Sequence, residues 1–335
     1  MENNKKLKYQ ICTYINDYKN IHENINCMLA LNDGRFAVGS DDLKIYNDIF
    51  FTLDLKISSK QLFTNKFEER MFFISKLMYL KNENILIKAS VNFYIIKIVN
   101  KEKKYYFIQK FKPTSVTWVD KIIELSNNSI VTIGVNYSIE FFFKNEKNEY
   151  FTSKVIKDAH KRDGHKTFIE IPNDKIISFS GKLREFKVWD LINYKCIFQN
   201  YINFDSTYYH IISLILKKYV LICCDDGLTI IDLNNNYTKY LVMKSISPNS
   251  IIKLNEIEFL ITNKENIIMK IKFNEDKLKF ELIDSQEILL KKDYFLGDRL
   301  IKIKNNYYIT HISKKLDIDN QYPDETLLIF QYLNN

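Results

Sequence analysis

One pattern constrains this chain more than any other: apolar strand, polar turn, apolar strand, polar turn, apolar strand, repeated seven times. The units are Ile25–Tyr46, Leu77–Ile98, Ile122–Phe143, Thr167–Asp190, Ile211–Asp232, Ser250–Lys272 and Arg299–Tyr332. The apolar residue just before each first turn is Leu31, Leu80, Leu125, Ile171, Leu216, Leu254 or Ile303. These markers stand about 38 to 49 residues apart, the spacing of four-stranded blades and longer than the 33 or 34 of common helical repeats. Few windows hold a 3.6-residue apolar period, which removes the helical solenoids.

A fourth apolar stretch follows most units across a short polar connection: Phe51–Ile57, Tyr105–Lys110, Tyr150–Ile156, Lys195–Tyr201, Thr238–Met243 and Leu278–Ile283. The last unit has none, while a spare stretch, Leu7–Tyr14, stands at the other end of the chain. The two facts belong together if the spare strand completes the final unit, because closure removes the open edges that a linear stack leaves. The expected fold is all-β: a seven-bladed β-propeller over residues 1–335, one domain, its ring closed by the N-terminal strand.

The fourth unit carries the most specific residues. Phe186-Lys187-Val188-Trp189-Asp190-Leu191 alternates apolar and charged side chains and ends on Trp-Asp. Upstream lie Gly164-His165, the run Phe168–Ile171, the turn Pro172-Asn173-Asp174 and the run Ile176–Phe179. This order resembles the WD-repeat family, whose unit is one propeller blade. Partial matches stand in the first unit, Asp33–Tyr46, and at the end of the fifth, Cys224–Asp232. In that family a His, a Ser or Thr, a turn Asp and the Trp hydrogen-bond within a blade. The resemblance implies structural roles for His165, Trp189 and Asp190, with Ser178 or Ser180 as the hydroxyl. The turn acid is missing, since the turn reads Gly181-Lys182-Leu183-Arg184.

Composition bears on the turns and the cell compartment. With only 7 glycines, left-handed turn positions fall to Asn and Asp, which tolerate them better than other side chains. Cys12, Cys27, Cys196, Cys223 and Cys224 show no paired spacing, as expected of reduced thiols in the cytoplasm or nucleus. Cys223-Cys224 follows Val220-Leu221-Ile222 and reads as a buried, inert pair. No apolar segment follows the N-terminal lysines as in a signal peptide, and no run of about eighteen apolar residues occurs.

No catalytic set is legible. The chain has no nucleophile-elbow glycine pattern, no phosphate-cradling loop and no His-Glu-x-x-His. Of the five histidines only His160 and His165, five apart beside Asp163, stand at zinc-ligand spacing; a structural or surface role is the reading for them, so neither metal nor cofactor is expected, and the protein reads as non-enzymatic. The net charge of +8 comes mainly from dispersed lysines, a pattern of solvated surface. One basic cluster stands out. Lys161 and Arg162 precede the fourth unit, and Lys182 and Arg184 lie in its turn before Trp189. In a propeller these two connections emerge on the same face, so the four cations mark a partner-binding site. The resemblance implies a protein-interaction scaffold, with an acidic or phosphorylated segment as the suited ligand. The rival reading is an RNA- or phospholipid-binding propeller using the same basic loops, although the Arg-Arg-Gly tract of lipid-binding propellers is absent.

Overall fold

A computed structural model describes residues 8–15, 25–47, 52–58, 61, 73–99, 103–114, 119–134, 137–160, 166–181, 184–202, 209–224, 227–244, 246–290, 294–303, 307–314 and 325–333. Every element assigned there is a strand, and the strands make seven four-stranded sheets. β1 (Lys8–Ile15) comes first in the chain and pairs last. The first sheet is β2–β5 (Cys27–Ala30, Phe36–Gly39, Leu43–Tyr46, Leu53–Ile57), and the second is β6–β9 (Ile74–Tyr79, Ile85–Ala89, Asn92–Val99, Lys104–Phe111). The third is β10–β13 (Val119–Glu124, Ile130–Gly134, Ile139–Lys144, Tyr150–Ile156), the fourth β14–β17 (Lys166–Ile171, Lys175–Ser180, Glu185–Asp190, Lys195–Tyr201). The fifth is β18–β21 (Tyr209–Ile215, Tyr219–Cys224, Gly227–Asp232, Thr238–Lys244), the sixth β22–β25 (Pro248–Lys253, Glu258–Asn263, Ile267–Asn274, Lys279–Glu287). The last holds β26–β28 (Tyr294–Lys302, Tyr307–Lys314, Glu325–Leu333) with β1 added outside β28. The expected N-terminal strand therefore does join the final sheet, in antiparallel register from Lys8 opposite Leu333 to Ile15 opposite Leu327.

The chain divides into two compact units. The first comprises Met1–Lys112, Lys264–Ile268 and Asp284–Asn335, and its core forms where neighbouring sheets meet face to face. Leu43, Ile45 and Ile57 of the first sheet pack with Ile85, Ile87 and Tyr94 of the second. On the other face of the first sheet, Phe36, Val38 and Tyr46 pack with Ile309, Leu327 and Ile329 of the last. The second unit, Pro113–Asn263 and Met269–Ile283, repeats the arrangement. There Phe141 and Ile133 meet Phe168, Ile176 and Trp189, while Phe179, Phe186 and Val188 meet Val220, Ile222 and Ile231. Middle strands buried on both sides explain why sequences such as Ile85–Ala89 and Ile130–Gly134 run apolar without alternation.

Two differences from the sequence expectation have local causes. The last unit starts at Tyr294 rather than Arg299, because an irregularity between Leu296 and Leu300 lets the strand continue around Gly297. A Cβ at Gly297 would overlap the His311 ring, so this position takes glycine. Left-handed residues include the anticipated Asn128, Asn148, Asn173 and Asp174, but also Arg184, Tyr194, Leu216, Lys217 and Tyr237. With glycine so scarce, turn geometry is imposed on ordinary side chains and held by the strands on either side.

The fourth strands share a further device. β5, β9, β13, β17 and β21 each carry a one-residue bulge against the third strand, skipping Asp54, Ile108, Ser153, Ile197 and Val242 in turn. A bulge bends and twists an outer strand away from a flat edge, which discourages unwanted strand addition.

Cys27 and Cys223 are buried, Cys196 is exposed, and none of the three is in a disulfide. Burial pushes the Cys27 thiol up to about 12, so it carries almost no thiolate at neutral pH. The side chains of Cys12 and Cys224 lie outside the described residues. Alkylation of the folded protein should modify Cys196 first, leaving Cys27 and Cys223 unlabelled until the chain unfolds. Equal labelling rates for the three thiols would contradict this packing.

Among the described residues no helix is long and apolar enough to cross a membrane.

Candidate functional site

The fourth sheet contains a buried polar chain that links β15, β16 and the segment before β14. Trp189, near the end of β16, is 5% exposed and donates from Nε1 to Ser178 Oγ at 2.8 Å. Ser178, on β15, lies 2.8 Å from Nε2 of His160, and His160 Nδ1 lies 2.8 Å from Glu185 Oε2. The hydrogen directions follow from chemistry. A carboxylate only accepts, so His160 Nδ1 donates to Glu185; the neutral ring then accepts at Nε2 from the Ser178 hydroxyl. Burial lowers the His160 pKa, helped by Lys187 and Lys166 and opposed by Glu185, which agrees with a neutral ring at pH 7.

Glu185 is held as an anion. Burial alone would raise its pKa, but His160 and Lys187 outweigh that and lower it. Gln199 Nε2 donates to its other oxygen at 2.6 Å, and Lys187 Nζ stands 3.5 Å from Oε2 while donating to the Ala159 carbonyl at 2.8 Å. A buried charge is tolerated only when paired and hydrogen-bonded in this way. Asp190 does a different job at the exposed end of β16. It accepts from the Ile192 amide at 2.9 Å and Asn193 Nδ2 at 2.7 Å, fixing the turn into β17, and these bonds lower its pKa.

The histidine described in this polar chain is His160; His165, named from the sequence, lies outside the described residues. The missing turn acid is supplied by Glu185, one residue beyond the turn in which it was sought. Its signal was visible: an acid next to the turn, directly ahead of the alternating strand.

Of the basic cluster, Lys161, Arg162 and Lys182 lie outside the described residues. Arg184 closes the turn between β15 and β16 with φ 52; its amide donates to the Gly181 carbonyl at 3.1 Å, and its carbonyl accepts from Ile202. The loop that carries Lys161 and Arg162 is anchored at both described ends. His160 holds Glu185 and Ser178 at one end, and the Lys166 amide donates to Asp120 Oδ2 at 3.1 Å at the other. The Lys166 ammonium is buried over the Tyr137 ring, 4.9 Å from its centroid. Trp118, an aromatic that precedes the third unit, lies outside the described residues as well. Among the described residues no three His, Cys, Asp or Glu side chains converge as metal ligands.

No family model matches the chain, and no curated protein matches it in sequence. Solved structures do match it in fold. Raptor from Chaetomium thermophilum aligns with a TM-score of 0.69 at 9% identity, over 98% of this chain and 29% of Raptor. The structure of U3-55K gives 0.69 at 9% identity over 96% of this chain and 98% of that one. The WD40 repeats of RRP9 give 0.68 at 8% identity over 97% of each. The likeness is one of fold: this chain folds as a seven-bladed β-propeller, as those structures do.

Proposed function

We propose that the chain is a non-enzymatic protein-interaction platform, a single propeller domain over residues 1–335 working in the cytoplasm or nucleus as a subunit of a larger complex. Its binding site is the basic edge of the fourth blade, where Lys161, Arg162, Lys182 and Arg184 receive an acidic or phosphorylated segment of a partner protein. The observation that carries this reading is the bond between His160 and Glu185. Lys161 follows His160 directly in the chain and Arg184 directly precedes Glu185, so the two basic connections start from backbones pinned side by side. Anchored loop ends reduce the ordering cost of binding, and rigid scaffolds concentrate recognition on such loops. Arginine adds bidentate bonds to carboxylate or phosphate. WD40-type propellers provide the precedent by analogy of fold.

The test is a charge-reversal set, Lys161→Glu, Arg162→Glu, Lys182→Glu and Arg184→Glu, with partners recovered from native cells at two salt concentrations. The expected result is loss of a protein partner while the variant keeps its fold. Loss of bound RNA instead, with a log affinity that falls steeply with log salt, would establish the rival reading. A folded variant that keeps every partner would reduce the cluster to solvated charge.

A further inference from the structure

A cavity of about 280 Å3 opens between the first two sheets, both of which belong to the first compact unit. Its floor is apolar. Leu31 and Ile85 are buried there, and Ile98 packs beside them from the face of β8 that meets the first sheet. Its walls are polar. Tyr79, the last residue of β6, is half-buried, and its hydroxyl has no hydrogen bond to any described residue. Glu83 stands in the turn from β6 to β7 with φ 64, its amide donating to the Leu80 carbonyl at 2.9 Å. Its exposed carboxylate likewise meets no described partner. Asn32 faces these two from the first turn of the first sheet.

Two cations border the cavity, and neither fills it. The Arg35 guanidinium is committed to Asp33 at 2.9 Å and to Asp54 at 2.6 Å. Lys97 lies on β8, whose alternation sends its exposed side chain to the other side of the sheet from Ile96 and Ile98. The field at the Tyr79 hydroxyl is accordingly negative: burial raises its pKa most, Glu83 and Asp33 raise it further, and Arg35 opposes them by less than either.

We propose that this cavity binds an aliphatic primary ammonium group, carried by a lysine side chain or a free amine. The apolar floor covers the methylene stem, and Glu83 takes the charged head in a charge-assisted bond. The Tyr79 hydroxyl and Asn32 offer further acceptors on opposite walls, an arrangement that suits the three diverging N–H groups of an ammonium better than the planar fork of a guanidinium. The volume is at the lower limit for small-molecule sites, enough for one side chain and too small for a nucleotide. The ligand is cationic and its site is in the first compact unit, whereas the basic loops of the fourth blade are in the second, so each proposal can fail without the other.

Methyl-labelled intact protein reports on the floor directly. Titration with Nα-acetyl-lysine methylamide at low salt should shift the Leu31, Ile85 and Ile98 methyl signals saturably, with a Kd of about 1–10 mM. The norleucine analogue has the same stem without the ammonium and should bind about tenfold more weakly or less. Glu83→Gln, a change at an exposed side chain, should weaken binding of the lysine probe about tenfold, and Tyr79→Phe about threefold. Comparison with n-butylammonium separates the sources: tighter binding of the lysine probe identifies a protein ligand, and tighter n-butylammonium a free amine. Absence of a saturable shift with either amine at about 50 mM overturns the inference. So does a norleucine analogue that binds equally well, or a Glu83→Gln protein with unchanged affinity.

Discussion

Trp189→Ala is expected to lower the stability of the protein by about 3–5 kcal/mol, the range for deleting a large buried aromatic. The indole fills the seam between the third and fourth sheets, against Leu125, Phe141, Phe168 and Ile176, and alanine would leave that volume empty. It also ends the chain of bonds through Ser178 to His160 and Glu185, so the variant removes the donor that orients the Ser178 hydroxyl. Trp189→Phe separates the two contributions. It keeps most of the apolar contact, loses the N–H donor, and should cost about 1–2 kcal/mol. Urea unfolding of the three proteins reads both values from the midpoints. A Trp189→Ala midpoint within error of the parent would mean that this seam does not hold the fourth sheet in place.

Deleting residues 1–16 should have the larger effect. The deletion removes β1 and strips one edge of β28, whose Leu327, Leu328, Ile329 and Phe330 are buried. A nine-residue apolar strand with one unpaired side is a template for aggregation. The same strand supplies Leu327 and Ile329 to the core shared with the first sheet, so damage spreads to Phe36 and Val38. The melting temperature should fall by on the order of 10 °C or more, the shift for a loss of several kcal/mol in a protein of this size, and the truncated chain should aggregate near its transition. An unchanged melting temperature would show that the N-terminal strand is dispensable.

Much of this fold was legible because each blade repeats its turns at similar positions. Asn173-Asp174 announced a first turn by residues that tolerate positive φ, and both have it. Lys217 was readable only from its place between two apolar runs, since nothing in a lysine signals a left-handed turn. The buried polar chain was half legible. Trp189 and Ser178 stood in an unmistakable strand pattern, whereas His160 stood in no motif of its own. Glu185 was missed because it lies one position past the turn, yet its side chain reaches the same ring. The outer-strand bulges had no signature, because a bulge depends on register between strands and not on any residue type. Only the run Tyr106-Phe107-Ile108, too apolar for a regular exposed edge, hinted at one.

The central claim is that the last blade is completed by β1, the first strand in the chain. Amide hydrogen exchange tests it most directly. Among the described residues β1 is the edge of its sheet and pairs with β28 alone. The account predicts that about half of the amides in Lys8–Ile15 exchange slowly, at rates that follow those of Glu325–Leu333, while the rest exchange freely. Unprotected exchange throughout Lys8–Ile15, with Glu325–Leu333 still protected, would contradict it.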